Sequence, residues 1–180
     1  VRLLRREAAA AGLPAGFLIY DEDDQLAAVR GALRALDLSE KLHPPRRLLG
    51  RISARKNAAR PDDDDDGYGT DLTRRVMERY QEVLRSAGAV DFDDLLLRAV
   101  SLLDRNKTVR RSWQDRFPYL LVDEYQDTNR AQYDLVRLLA GPGGNLTVVG
   151  DDDQSIYAWR GADISNILDF EHDFPGARVF

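Results

Sequence analysis

The sequence predicts an α/β protein. A mostly helical first part, to about Arg116, is followed by part of a parallel sheet built on a β-α-β unit. Three observations predict this. Upstream of Arg116, apolar residues recur at three- and four-residue intervals, the period of a helix with one buried face. After Phe117 come two short apolar runs, Tyr119-Leu120-Leu121-Val122 and Leu146-Thr147-Val148-Val149, the first of them the mark of a strand covered on both faces. Between them lies one amphipathic stretch of helical length. Such a crossover joins parallel strands with a right-handed connection.

The elements follow in order. A helix is expected from about Glu22 to Leu36, with Leu26, Val29, Leu33 and Leu36 on one face. The next, near Arg46 to Ala59, carries Arg47, Arg51 and Arg55 at four-residue spacing, so they form one stripe. That stripe reads first as a solvated face and second as a track for a DNA backbone. Pro61, the run Asp62 to Asp66, Gly67 and Gly69 read as a solvated loop. A third helix begins near Asp71, buries Leu72, Val76, Tyr80, Val83 and Leu84, and stops at Gly88. Asp91 caps a fourth, whose Phe92, Leu95, Leu96, Ala99 and Leu103 are expected to face inward. In the second part, Thr128 or Asn129 caps the crossover helix, with Tyr133, Val136 and Leu139 as its buried stripe. Gly141-Pro142-Gly143-Gly144 ends it after Ala140.

Bulk properties exclude several classes. At 180 residues, 43% hydrophobic and 32% charged, the chain holds one ordinary domain or two small ones, and disorder is not expected. The absence of cysteine excludes a disulfide scaffold, a thiolate zinc site and a cysteine nucleophile, and fits a reducing, cytoplasmic setting. His43 and His172 lie far apart, which argues against a histidine metal cluster. No apolar run approaches the roughly 20 residues of a membrane helix, so no membrane partner is expected. The opening Val-Arg-Leu-Leu-Arg-Arg does not read as a signal peptide. It lacks an initiating methionine, and Phe180 falls in what reads as a strand, so a piece of a larger protein is expected. The net charge of −5 argues mildly against nucleic acid as a partner. Charge is uneven, however: from Arg46 to Arg60 there are six basic residues and no acidic one, and five aspartates follow from Asp62.

Chemistry concentrates where the two apolar runs end. Ligands of parallel sheets bind beyond the carboxyl ends of the strands, and Asp123 and Asp151 to Gln154 fall there. Asp123 and Glu124 are adjacent, so on an extended backbone their side chains point opposite ways. One carboxylate can then hold Mg²⁺ while the other faces an attacking water, which is what phosphoryl transfer from ATP asks of a protein. Asp123 is assigned to the metal and Glu124 to the water; an acidic turn after a buried strand is the plainer alternative. Gln154 can bond a terminal phosphate or the water and lose that bond when the phosphate leaves; otherwise it is a turn residue. The three aspartates before it repel one another unless solvated, capped or near a cation, which favours a functional edge. Tyr157 and Trp159, two apart, project to one side of an extended segment, where stacking on a base contributes roughly 1–3 kcal/mol whatever the base. Two aromatics near a turn also read as ordinary packing. Arg160 suits a backbone phosphate or a site carboxylate, or else a surface ion pair.

These segments together resemble the UvrD/PcrA/Rep family of superfamily 1 helicases. Val122-Asp123-Glu124-Tyr125-Gln126-Asp127-Thr128-Asn129 looks like the family's Walker B motif. Val149-Gly150-Asp151-Asp152-Asp153-Gln154-Ser155-Ile156-Tyr157-Ala158-Trp159-Arg160-Gly161-Ala162 looks like the motif linking its ATP and single-strand sites. Val90-Asp91-Phe92-Asp93-Asp94-Leu95-Leu96 is similar to a further family signature. The resemblance spans the chain. It implies a helical 1B-like subdomain from Val1 to about Arg116, and part of a RecA-like P-loop NTPase motor domain, 1A, from Phe117 to Phe180. It also implies Asp123 on Mg²⁺, Glu124 as catalytic base, Gln154 reading the γ-phosphate, Tyr157 and Trp159 stacking on single-stranded DNA, and Arg160 bridging the two sites.

The expected function is therefore a piece of an ATP-dependent DNA helicase. It would translocate on single strands, 3′ to 5′ by resemblance, and unwind duplexes at single-strand/double-strand junctions in repair or replication. No Gly-x-x-x-x-Gly-Lys-Ser/Thr loop occurs in the 180 residues, and the second motor domain's arginines are absent. The chain alone is thus expected neither to hydrolyse ATP nor to unwind DNA, its partners being the Walker A region and second motor domain of its own polypeptide. Two alternatives are a non-hydrolysing or degenerate DNA-binding module and the helicase part of a helicase-nuclease.

Overall fold

Asp21, Asp91, Asn106 and Asn129, short polar residues ahead of helical stretches, each start a helix. The computed structural model describes residues 1–57, 68–155 and 162–180, residues 68–70 by backbone alone. The elements run α1 (Arg2–Arg6), β1 (Leu18–Ile19), α2 (Glu22–Ala35), α3 (Pro45–Asn57), α4 (Tyr68–Ser86), β2 (Ala89–Val90) and α5 (Phe92–Arg105). Then come α6 (Lys107–Arg116), β3 (Tyr119–Val122), α7 (Arg130–Ala140), β4 (Asn145–Val148), α8 (Ser165–Leu168) and α9 (Phe170–Asp173). Single 3-10 turns, Tyr125–Asp127 and Asp152–Gln154, follow β3 and β4. The expected class, a helical first part followed by a parallel β-α-β unit, is what the chain adopts. Two compact units divide it, Val1–Ala99 and Val100–Phe180, so the division falls within α5, whereas the reading from sequence set its boundary near Arg116.

In the first unit α2, α3 and α4 pack around Val29, Leu33, Leu48, Ile52, Val76 and Leu84, all buried. Each such side chain contributes about 1.5–3 kcal/mol when fully buried. Asp21 starts α2: its carboxylate accepts from the Asp24 N–H at 2.9 Å and its own N–H donates back to Asp24 at 3.3 Å. Arg47 and Arg51 of the expected stripe are exposed, while Leu48, Ile52 and Lys56 form the buried stripe of α3. α4 begins at Tyr68, so Gly69 lies in its first turn and not in a loop. Pro61, the aspartate run and Gly67 fall outside the described residues. β1 and β2 pair in parallel, Leu18 opposite Ala89 and Ile19 opposite Val90, a pairing too short to leave a periodicity in sequence.

The start of α5 corrects one expectation. Asp91 does cap it, accepting from the Asp94 N–H at 2.8 Å. Phe92, expected inward, is 60% exposed, and Asp94 takes the buried place. The reason is an ion pair. Lys56 Nζ reaches Asp91 Oδ2 at 2.6 Å and Asp94 Oδ1 at 2.8 Å, with all three side chains nearly sealed from solvent. Tyr80 donates its hydroxyl to Asp91 at 2.8 Å, Gln81 donates to Asp94 at 3.3 Å, and Asn57 donates to Asp93 at 2.8 Å. Burial first, then the Asp91 charge, pushes the Tyr80 hydroxyl far above tyrosine's ordinary range, so it stays a donor. The cluster ties the end of α3 to the middle of α4 and the first turn of α5.

In the second unit β3 and β4 lie parallel, with Tyr119 opposite Asn145 and Val122 opposite Val148, and α7 connects them. Asn129, one of the two expected caps, starts α7: it accepts from the Gln132 N–H at 3.0 Å, and its N–H donates to the Gln132 side chain at 2.8 Å. Gly141 ends the helix at φ 66°, a conformation that side chains rarely adopt. β3 is not covered on both faces as expected. Tyr119 is 75% and Leu121 72% exposed, while Leu120 and Val122 are partly buried. Side chains alternate along a strand, and the described residues of this unit cover the Leu120–Val122 side alone. α6, started by Asn106 accepting from Val109, is joined to α7 by Gln114, which donates to the Leu138 carbonyl at 2.7 Å.

Candidate functional site

Ladder pairing carries the two chain segments together one step past their strands. The Val149 N–H donates to the Val122 carbonyl at 2.8 Å, and the Tyr125 N–H to the Val149 carbonyl at 3.0 Å. Asp123-Glu124 and Asp151 to Gln154 are therefore neighbours at one carboxyl edge, where ligands of parallel sheets bind.

Asp123 is exposed, and its Oδ1 accepts from the Glu124 N–H at 3.0 Å. Glu124 is not extended: at φ 51° and ψ 45° it sits in the left-handed region, costly for a residue with a Cβ. The simple alternation expected for the two carboxylates thus stops at Asp123. The turn that follows is held by burial and short hydrogen bonds. Tyr125 and Gln126 are fully buried, the Asp127 N–H donates to the Glu124 carbonyl at 3.0 Å, and Thr128 Oγ1 donates to the Tyr125 carbonyl at 2.7 Å. The Tyr125 ring meets Phe170 edge-on at 5.6 Å, and its hydroxyl, pushed up to about 12 chiefly by burial, stays protonated.

Gln126 bridges the two segments. Its Nε2 donates to Glu124 Oε2 at 2.7 Å, and its Oε1 accepts from the Asp151 N–H at 3.1 Å. Across from it, Asp151 shapes its own turn: Oδ1 accepts from the Asp153 N–H at 3.1 Å, and Oδ2 accepts from Gln154 Nε2 at 2.6 Å. Gln154 is exposed. Downstream, the chain returns to the first turn. The Asp163 N–H donates to the Thr128 carbonyl at 3.0 Å, and buried Asn166 donates to the same carbonyl at 2.9 Å.

Asp123, Glu124 and Gln154 of the expected site thus share one edge. Tyr157, Trp159 and Arg160 lie outside the described residues. Reading the sequence missed two buried polar groups, Gln126 and Lys56. Gln126 had one usable signal, its place two residues after the site carboxylate Glu124. Lys56 had none, being one more basic residue in a basic run. Among the described residues no helix is long and apolar enough to cross a membrane.

The fold and this edge define an α/β protein of the parallel-sheet class, with an acidic site at the carboxyl ends of adjacent strands. More narrowly, the chain belongs to the UvrD/REP helicase family: the family model described as UvrD/REP helicase N-terminal domain matches residues 1–175. The chain is 46% identical to the ATP-dependent DNA helicase PcrA of Bacillus subtilis strain 168 over 99% of its own length and 25% of that relative's. It is 45% identical to the protein of the same name from Staphylococcus aureus strain Mu50 and 43% identical to that from Staphylococcus epidermidis, with the same coverage. The chain spans about a quarter of the length of these curated relatives.

Proposed function

We propose that this chain is the part of an ATP-dependent DNA helicase that carries the metal-binding and water-activating carboxylates and the segment joining them to the single-strand site. The observation that carries this reading is the shared edge of Asp123, Glu124 and Gln154, tied through Gln126 and Asp151. Asp123 would hold Mg²⁺: it is exposed at the strand end, one oxygen is occupied by the Glu124 N–H, and Mg²⁺ is usually bound by one or two carboxylates with water and phosphate. When bound, Mg²⁺ neutralises charge on the terminal phosphates. Glu124 takes the proton of the attacking water, and Gln154 trades its bond to Asp151 for one to the γ-phosphate of ATP. Tyr157 and Trp159 stack on single-stranded DNA and Arg160 bridges the sites, roles that rest on the motif. In the same reading residues 1–116 are the 1B-like subdomain and 117–180 part of motor domain 1A. The protein acts in the cytoplasm, 3′ to 5′, on junctions met in DNA repair or replication.

The test is ATP hydrolysis by the longer polypeptide that includes this chain, with and without single-stranded DNA. DNA-stimulated hydrolysis is expected; none from an intact preparation would end the helicase reading. The 180-residue chain alone should show none, because it lacks the loop that cradles the phosphates and the arginines whose contribution alone reaches about 10³–10⁵ in rate. Measurable DNA-stimulated turnover by it would refute that. Trp159→Ala in the longer polypeptide should weaken single-strand binding by roughly 1–3 kcal/mol and reduce unwinding more than hydrolysis. Unchanged strand affinity and unwinding would count against stacking.

A further inference from the structure

We infer that Gln126 is a positioning residue that sets Glu124 and makes its placement depend on the turn carrying Gln154. The inference rests on the functional reading of Glu124 above. Gln126 is wholly buried, and both ends of its amide are used, one on each strand segment. The opposite orientation of the amide would set its oxygen against a carboxylate and its NH₂ against an N–H, so the two partners fix it. Glu124 itself stands on a left-handed backbone that does not by itself select one side-chain direction. Among its described contacts, the Gln126 amide is the group that holds its carboxylate.

The path continues. From Glu124 Oε2 the bonds run to Gln126 Nε2, from Gln126 Oε1 to the Asp151 N–H, and from Asp151 Oδ2 to Gln154 Nε2. Water-activating carboxylate and phosphate-reading amide are thereby ends of one hydrogen-bonded chain across two strands. Gly150 makes room for it: a Cβ there would lie 2.5 Å from Gln126 Oε1 and 2.7 Å from Ile167 Cδ1.

The experiment is steady-state ATP hydrolysis by the longer polypeptide with single-stranded DNA, comparing Gln126→Met and Gln126→Glu, each alone and on a Glu124→Gln background. Met removes both bonds at similar volume; Glu keeps an acceptor for the Asp151 N–H but sets a second carboxyl group against Glu124. That pair either repels or shares one proton, and either way Glu124 is no longer held as a free carboxylate. Both should lower kcat by about 10–100-fold, the size of effect seen when a supporting partner of a site group is lost. KM for ATP and single-strand affinity should hold. On the Glu124→Gln background neither should lower the rate further, because residues acting as one unit are not additive. Gly150→Ala, which displaces the amide without altering it, should reproduce the kcat loss if Gln126→Met fails to fold. A kcat within twofold of wild type for Gln126→Glu, or an equal loss on both backgrounds, would overturn the inference. Failure of the functional reading looks different: the unsubstituted polypeptide shows no DNA-stimulated hydrolysis, or Glu124→Gln runs at full rate.

Discussion

Glu124→Gln in the longer polypeptide should lower DNA-stimulated ATP turnover by about 10²–10⁴-fold, the range of a lost general base, while ATP still binds. The substitution isolates chemistry from folding. A glutamine at 124 keeps the length of the side chain and an oxygen that can accept from Gln126 Nε2, now 2.7 Å from Glu124 Oε2. The left-handed backbone at 124 is no harder for glutamine than for glutamate, so the turn through Tyr125 and Thr128 should persist. What disappears is the capacity to take a proton. Turnover is read by phosphate release and binding by a fluorescent ATP analogue. Near-normal turnover would remove Glu124 from the chemistry, and lost nucleotide binding would make it a ligand instead.

The second large effect is structural. Lys56→Met should destabilise the first unit by about 3–5 kcal/mol, because removing one partner leaves the others charged and buried. Lys56 is the sole cation within reach of Asp91 and Asp94 among their described contacts, at 2.6 and 2.8 Å. The donors that remain, Tyr80, Gln81 and the Asp94 N–H, supply hydrogen bonds but no charge. Methionine fills the space of the lysine stem, so the loss is not a cavity effect. Hydrogen exchange at the amides of α4 and α5 should quicken by about two to four decades, at 1.4 kcal/mol per decade. Adding Asp91→Asn and Asp94→Asn should restore part of the protection, since asparagine still caps α5 and no uncompensated charge stays buried. Unchanged exchange in Lys56→Met would mean the pair adds nothing to stability.

The longer helices α2, α3, α4, α5 and α7 were legible in sequence from their one-sided apolar stripes: α2 was expected at Glu22–Leu36 and runs Glu22–Ala35. α1, α6, α8 and α9 were not read, and three of them are only four or five residues long. The two strands of the second unit were legible as short, largely apolar runs, residues 119–122 and 146–149, with carboxylates close after each. Their exposed side was not, because an apolar run says nothing about what lies against it. β1 and β2 escaped for want of length. Phe92 and Asp94 were read in the wrong order of burial, since hydrophobicity ranks phenylalanine inside and takes no account of a lysine 38 positions away. At the site, the carboxylates and Gln154 could be named from residue type and place. The left-handed turn at Glu124 and the bridging by Gln126 arise from packing between two strands, which no single stretch of sequence displays.

Order of synthesis gives the Asp91–Asp94 cluster another meaning. A late-made stretch of the first unit, Ala89 to Asp94, supplies β1 with its strand partner and Lys56 with its counter-charges. Chains leave the ribosome at about 5–20 residues per second, so the helices before it wait seconds for their keystone. Until then Lys56 keeps its water and Leu18–Ile19 has no partner strand. A shortened chain that stops at Gly88 would hold α1 to α4 without any of these ties, whereas one that stops after Arg105 would keep them all.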